Sequence, residues 1–313
     1  MSRLNSPIML VYIVAILFSF PPILIKNLIE TIPLNYILLF RFAFVAVTYP
    51  YIIKIIKKID LKELYSINKE ELKYLLLLSS VLMTNMFLFF QSLHYIGVTT
   101  ASFLFLTFPI FTLILARILL KEHISRTDMI VTVISFIGLL IMFSNQLELQ
   151  NYKGQLMALT SAILFSFYVI INRKSSQSIN HFKKTNWLFI FNTLILLAVI
   201  PFFGQNIEFA SFTVVNISLL ILLATVFTLI PFTLQLYAIK YVKSSTFSMI
   251  LLLGPILTIF LSFLILHESP SLNTLIGGIL ILFSAFISTY SVERIFYASR
   301  EFSRKIKSFL FEY

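Results

Sequence analysis

The chain contains no cysteine. That absence excludes disulfides, cysteine-ligated zinc and thiol catalysis. Glycine is scarce, at seven residues, and no GxxxG occurs, so Ala, Ser and Thr must provide any close helix packing. Charge is scarce too: 12% of 313 residues, against roughly a quarter in an ordinary soluble domain. A soluble protein of this size needs a charged surface that these residues cannot supply. With 59% apolar residues and a mean hydropathy of +0.95, the chain is not disordered either. An integral membrane protein is the class that remains. Four scattered histidines and 13 acids offer no metal cluster, so neither a metal nor another cofactor is expected.

A bilayer core about 30 Å thick takes about 20 apolar residues in a helix. Ten such runs are present, near 8–25, 33–53, 73–93, 97–119, 127–144, 154–172, 185–203, 214–236, 244–266 and 272–291. They do not alternate polar with apolar, as barrel strands would. The first begins too early for a signal peptide and lacks a small-residue cleavage site, so it reads as a retained helix. With a cytoplasmic N-terminus, 21 of the 24 Lys and Arg fall on the inner side. Outside loops hold Lys26 and Lys153, and Arg41 lies within a span. The bias follows the positive-inside rule. The net charge of +11 is therefore a topology signal, and nucleic acid is not an expected partner. The expected partners are a small-molecule substrate and the lipid bilayer, with a homodimer as an admissible assembly.

The chain also repeats itself at a spacing of 146–147 residues. Ala15-Ile-Leu-Phe-Ser-Phe20 recurs unchanged as Ala162-Ile-Leu-Phe-Ser-Phe167. Phe90–Glu122 aligns without gaps on Leu236–Glu268, with ten of 33 pairs identical. Among them are Tyr95/Tyr241, Ser102/Ser248, Pro109/Pro255, Thr112/Thr258 and Glu122/Glu268. Matching leucines mean little in so apolar a chain, but paired Pro, Tyr and Glu at one offset mean more. The units run 1–145 and 146–291, followed by a tail, 292–313. Five helices per unit is an odd number, so the second unit enters the membrane from the opposite side. The expected fold is all-α, ten transmembrane helices as two inverted five-helix repeats. The charges agree: inside Arg117, Lys121 and Arg126 pair with outside Phe263, His267 and Leu272. Inverted repeats suit secondary transport, because one unit can rock against the other around a midplane site.

Five plus five helices with these motifs resemble the EamA branch of the drug/metabolite transporter superfamily. The motifs are Pro109 with Glu122, Pro255 with Glu268, and the two Ala-Ile-Leu-Phe-Ser-Phe segments. Arg41 fits an arginine common in the family's second helix, whereas the second unit has Asn192 in the corresponding region. The resemblance covers about residues 8–290. It implies movement of small metabolites, often amino acids or related compounds and frequently outward. It also implies a central cavity lined by the first, third, fourth, sixth, eighth and ninth spans.

Candidate substrate-binding residues are Arg41, Asn85, Gln91, Pro109, Tyr168, Gln235, Tyr237 and Pro255. Arg41 is the one charge set well inside a predicted span, ~12 Å from its start. A central Arg costs at least ~2.5 kcal/mol to insert, and no acid is placed to pair with it. It could receive a substrate carboxylate or phosphate, or brace its helix against backbone carbonyls. Asn85 could bind substrate or hold helices together. Gln91 and Gln235 could gate the two mouths or anchor at the interfaces, and Tyr168 and Tyr237 could line the path or join an aromatic belt. Pro109 and Pro255 each remove a backbone donor and free a carbonyl four residues back, so both helices should bend. Glu122 and Glu268 read as caps for the following helix or as loop residues. Asn192 reads as helix glue, and Ser19 and Ser166 as packing residues. The 34 phenylalanines specify an apolar protein rather than an aromatic substrate.

The tail places Val292, Ile295, Phe302, Ile306 and Phe309 at helical spacing among Arg and Lys, which suits a basic amphipathic helix on the inner leaflet. The reading is a secondary transporter, exporter or exchanger, of a small metabolite or drug-like compound. It lies in the cell membrane, a bacterial inner membrane by its lack of a targeting segment, with both termini cytoplasmic. It is not an enzyme. The alternatives are a lipid or lipid-carrier flippase and an integral-membrane lipid-modifying enzyme. The enzyme would need catalytic acids, metal ligands or a nucleophile–base pair, and none is evident.

Overall fold

A computed structural model describes residues 5–123, 125–143, 152–203, 212–267 and parts of 272–287. Among these residues regular structure is helical throughout. The helices are α1 (Asn5–Phe18), α2 (Pro21–Leu28), α3 (Leu34–Lys57), α4 (Leu61–Tyr65), α5 (Lys69–Ser92), α6 (Val98–Phe105) and α7 (Phe108–Leu119). After them come α8 (Arg126–Phe143), α9 (Tyr152–Ser175), α10 (His181–Val199), α11 (Val214–Ala224), α12 (Ile230–Ala238), α13 (Ser244–Leu251) and α14 (Leu253–Leu266). In lipid each backbone N–H and C=O must be bonded within its own segment, and helices do this. Eight described segments are long and apolar enough to cross a membrane: Pro7–Leu28, Leu34–Lys57, Lys69–Ser92, Val98–Leu119, Tyr152–Ser175, His181–Phe202, Val214–Ala238 and Ser244–Leu266. Val47, Ile118 and Ile279 are exposed large apolar residues, as lipid contact requires. The run expected at 272–291 is described only in part. Glu268, the boundary at 145 and 146, and the tail from 292 lie outside the described residues.

Two helices start earlier than hydropathy suggests, because polar caps start them. At α5, Asn68 Oδ1 accepts from Glu71 N–H at 2.8 Å, and Glu71 Oε2 accepts from Asn68 N–H at 3.1 Å. This reciprocal box closes a turn that is too charged to read as membrane-spanning. At α10, Asn180 Oδ1 accepts from Phe182 N–H at 2.9 Å. The helix therefore begins at His181 rather than near 185, and it takes in Lys183 and Lys184. Arg41 is consequently not the one charge buried within a span: Lys184 is 0% exposed. Its Nζ donates to Asn172 Oδ1 at 2.7 Å and Asn172 O at 3.1 Å.

Four spans are interrupted, and prolines explain where. Proline lacks an N–H, and its ring crowds the carbonyl four residues back. Pro109 and Pro255 point to Phe105 and Leu251, the last residues of α6 and α13. New helices start at Phe108 and Leu253, with Pro109 in the first turn of α7. Pro22 points back to Phe18, the last residue of α1. Pro231 points back to Phe227, inside a π-helical stretch, Thr225–Leu229, between α11 and α12. Pro50 is the exception and sits inside an unbroken α3.

The first helix of each sequence unit packs into the other unit. α1 lies against α12, α13 and α14, while α9 lies against α5, α6 and α7; α3 packs on α10. The contacts are close because small residues sit there. A Cβ on Gly254 would stand 3.1 Å from the Ala15 carbonyl oxygen. Thr258 Oγ1 donates to Ser19 O at 2.9 Å, and Ser166 Oγ donates to Phe108 O at 2.7 Å. Asn192 does not act as expected: its Nδ2 donates to Leu188 O of its own helix at 2.7 Å.

Candidate functional site

A cavity opens where the interrupted helices meet. Its walls are aromatic: Phe18, Phe89, Phe90, Phe105, Phe108, Phe165 and Phe232 all line it. The rings pack on one another, with Phe105 centred 5.0 Å from Phe89, 5.3 Å from Phe108 and 5.2 Å from Phe165. Polar lining comes from Arg41, Asn85, Ser102, Gln235 and Thr258. Pro21, Pro22, Gly254 and Pro255 bring the helix breaks to its edge.

Arg41 is 1% exposed. Its Nε donates to Thr228 Oγ1, and its Nη2 donates to Phe227 O at 3.3 Å. That carbonyl is the one Pro231 leaves without its helical donor. Thr228 Oγ1 donates in turn to Leu223 O at 2.7 Å. The guanidinium carbon lies 5.8 Å from the Phe90 ring centre, within cation–π range. Nη1 is buried and has no hydrogen-bond partner. Among the described residues the ion pairs are Arg173–Glu122 at 3.6 Å and Lys183–Glu71 at 3.2 Å, so no carboxylate pairs with Arg41. The cavity thus reaches α3, a helix the expected lining omitted.

Asn85 Nδ2 donates to Ser161 O at 2.6 Å and ties α5 to α9. Gln235 belongs to the cavity rather than to a mouth. Its Nε2 donates to Tyr168 Oη at 2.9 Å, and its Oε1 is buried without a partner. Tyr168 stands behind it, fully buried and stacked on Phe165 at 5.7 Å. Ser102 Oγ is likewise buried and unpartnered. Pro109 adjoins the lining residue Phe108.

Two expected residues lie elsewhere. Gln91 is six residues beyond Asn85, about 9 Å along the helix and on another face. It lines a separate cavity with Glu30, Asn35 and His94. Burial, and then nearby Lys26, hold the His94 imidazole below its ordinary pKa. Tyr237 follows Gln235 by two residues, roughly 200° around the helix, and so turns away. Its ring lies 5.0 Å from His181 and 5.1 Å from Tyr241.

Glu122 caps a helix, but not the following one. Ser244 N–H donates to its Oε2 at 3.2 Å, and Ser244 Oγ donates to its Oε1 at 3.1 Å. It therefore caps α13, in the other sequence unit, beside Arg173. Arg173 Nη1 donates to Ile239 O at 2.6 Å and also to Lys240 O, at the end of α12. Ser102, Thr228, Lys184 and this cluster escaped the sequence reading. The signal for Thr228 was Pro231, three residues on; for Ser102 it was the matched Ser248.

The EamA-like transporter family model matches residues 5–144 and 152–290. An uncharacterized transporter of Clostridium kluyveri is 28% identical over 200 residues, 62% of this chain and 64% of that protein. The match thus spans a little under two thirds of that relative's length. The uncharacterized transporter YoaV of Bacillus subtilis is 25% identical over 236 residues, 73% of this chain and 80% of its own. An S-adenosylmethionine uptake transporter of Rickettsia bellii is 28% identical over 197 residues, 63% of this chain and 65% of its own. A solved crystal structure, 14% identical, superposes with a TM-score of 0.75 over 94% of this chain and 99% of that one; this likeness speaks to fold alone.

Proposed function

The chain belongs to the EamA-like transporter family and is a multi-pass α-helical membrane protein, and from that premise we propose that it is a secondary transporter rather than an enzyme. It moves a small organic metabolite through the aromatic cavity by alternating access. One observation carries this reading: the cavity lies where α1 and α9 cross into opposite sequence units, bounded by four interrupted spans. Breaks at such depth are tolerated where they line a cavity. Two rocking units can expose a site between them to each side in turn.

In this reading the units are 1–145 and 146–291, ten spans in inverted pairs, with both termini on the cytoplasmic side of the cell membrane. The tail, 292–313, lies on the inner leaflet. The family match in two segments and the 146–147-residue repeat support the division. The substrate-binding set is Arg41, Asn85, Gln235 and Pro255 at the wall, with Tyr168 and Pro109 behind it. Gln91 belongs to a vestibule. The carrier works as an exchanger, because among the described residues the cavity's buried cation has no carboxylate to relay a proton. The relative named for S-adenosylmethionine uptake supports an organic solute.

The test is uptake of labelled amino acids, nucleobases and organic acids into proteoliposomes preloaded with a mixed metabolite pool. Saturable exchange that ignores a pH gradient is expected. Stimulation by the gradient would overturn the exchange mode. Folded protein with no saturable flux for any compound would overturn the metabolite reading and favour a lipid flippase.

A further inference from the structure

We propose that the aromatic cavity selects organic monoanions, with a carboxylate docked on Arg41 Nη1 and a flat apolar body laid against the phenylalanine walls. The proposal rests on the transport reading of the same cavity and narrows its substrate class.

Arg41 is the starting point. It is buried, two of its three nitrogens are spent on the π-helical stretch, and Nη1 has no partner. Unsatisfied donors of this kind are rare in folded proteins, and an unpaired buried charge is rarer. Structural bracing accounts for Nε and Nη2 but leaves Nη1 unexplained. Among the described lining residues no Asp or Glu is present to neutralise it. A ligand carboxylate supplies both the missing acceptor and the missing charge, and such charge-assisted bonds are the strong ones.

One further feature points to the same sign. The described lining offers no carboxylate to receive an ammonium group, so the favoured ligand carries net negative charge. The body of the ligand follows from the walls. The rings of Phe89, Phe105, Phe108 and Phe165 form one packed surface, which suits a planar apolar group by offset or edge contact. Ser102 Oγ and Gln235 Oε1, both buried and unpartnered, leave room for one donor and one acceptor on that body.

The probes are phenylacetate, phenylacetamide, phenethylamine and L-phenylalanine, which share a ring and differ in charge. Equilibrium binding to the full-length protein in detergent is measured for each, beside Arg41→Gln and Arg41→Lys. The expected ranking puts phenylacetate first, about tenfold tighter than the amide, the amino acid or the amine. Arg41→Gln removes the preference for phenylacetate over phenylacetamide. Arg41→Lys keeps part of it, because the charge remains and the planar fork is lost. The ranking needs only the wild-type chain, so a variant that fails to fold does not remove the test. Equal binding of acid and amide, tighter binding of the amine or amino acid, or an acid preference that survives Arg41→Gln would each overturn the proposal. Saturable counterflow of phenethylamine, unaffected by Arg41→Gln, would overturn the anion class and leave the carrier intact. Loss of saturable flux for the whole metabolite pool would remove the carrier reading itself.

Discussion

At the scale of single residues, the informative side chains are polar groups whose partners come from distant sequence. Glu122 is one. Its carboxylate accepts from the Ser244 backbone and hydroxyl and lies beside Arg173. Glu122→Gln keeps the shape and removes the charge from a helix N-terminus. The expected loss is about 1 kcal/mol, read as a lower thermal midpoint in detergent. Ser244→Ala should cost less, because the backbone N–H still donates. His94 gives a pH dependence of known sign. Burial and Lys26 depress its pKa in the folded chain, so the unfolded chain takes up a proton first as the pH falls through about 6.5. The folded form therefore loses stability on acidification from pH 7.5 to 5.5, and His94→Gln should flatten that slope in a thermal-shift series. A slope unchanged by the substitution would assign it to other groups. Arg41 stood out in the sequence because a charge in an apolar run is conspicuous. Its partners did not, since Thr228 and Phe227 are ordinary residues nearly 190 positions away, at separations of 187 and 186.

At the scale of elements, proline placement governs the design. The breaks after Phe105 and Leu251 fall where Pro109 and Pro255 remove the helical bond. Pro109→Ala and Pro255→Ala restore an N–H in each span. Both variants should be as stable as the parent or more so, yet should exchange substrate several-fold more slowly, because a continuous helix rocks less readily. Thermal midpoints together with counterflow rates check this; an undiminished rate would make the breaks fixed kinks. Gly254 allows α14 to approach α1. Gly254→Val places a branched side chain against the Ala15 carbonyl and should cost roughly 1–3 kcal/mol. Hydropathy located the apolar runs but misjudged their ends. The starts of α5 and α10 depend on Asn68, Glu71 and Asn180, polar residues that a hydropathy scale counts against a membrane helix.

At the scale of the whole molecule, the two sequence units interlock rather than stand side by side. Thr99 Oγ1 and Ser262 Oγ lie 2.9 Å apart and join α6 to α14 across the units. Glu122, just after α7, and Ser244, at the start of α13, join the same two spans, Val98–Leu119 and Ser244–Leu266, at the opposite end. The chain has no native cysteine, so a T99C/S262C pair can be oxidised without side reactions. Oxidation should lock the α6–α14 contact and stop exchange, and a reductant should restore it. Full exchange in the oxidised protein would show that these helices do not separate during transport.

Composition, charge and repetition determined a great deal without coordinates. A chain with so little charge and such long apolar runs is not built for water, and in lipid runs of this length that do not alternate satisfy their backbone as helices. The same reading singled out Pro109 and Pro255, though not Pro22 or Pro231, and the one arginine that a bilayer should not tolerate alone. Only the tertiary structure decided which polar groups meet. It put Gln235 into the cavity and Gln91 outside it, turned Tyr237 away, buried Lys184, and sent Glu122 to cap a helix of the other unit. Hydropathy records the cost of placing a group in lipid. Whether that cost is met depends on a donor or acceptor within about 3 Å, and such distances exist only once helices far apart in sequence have packed.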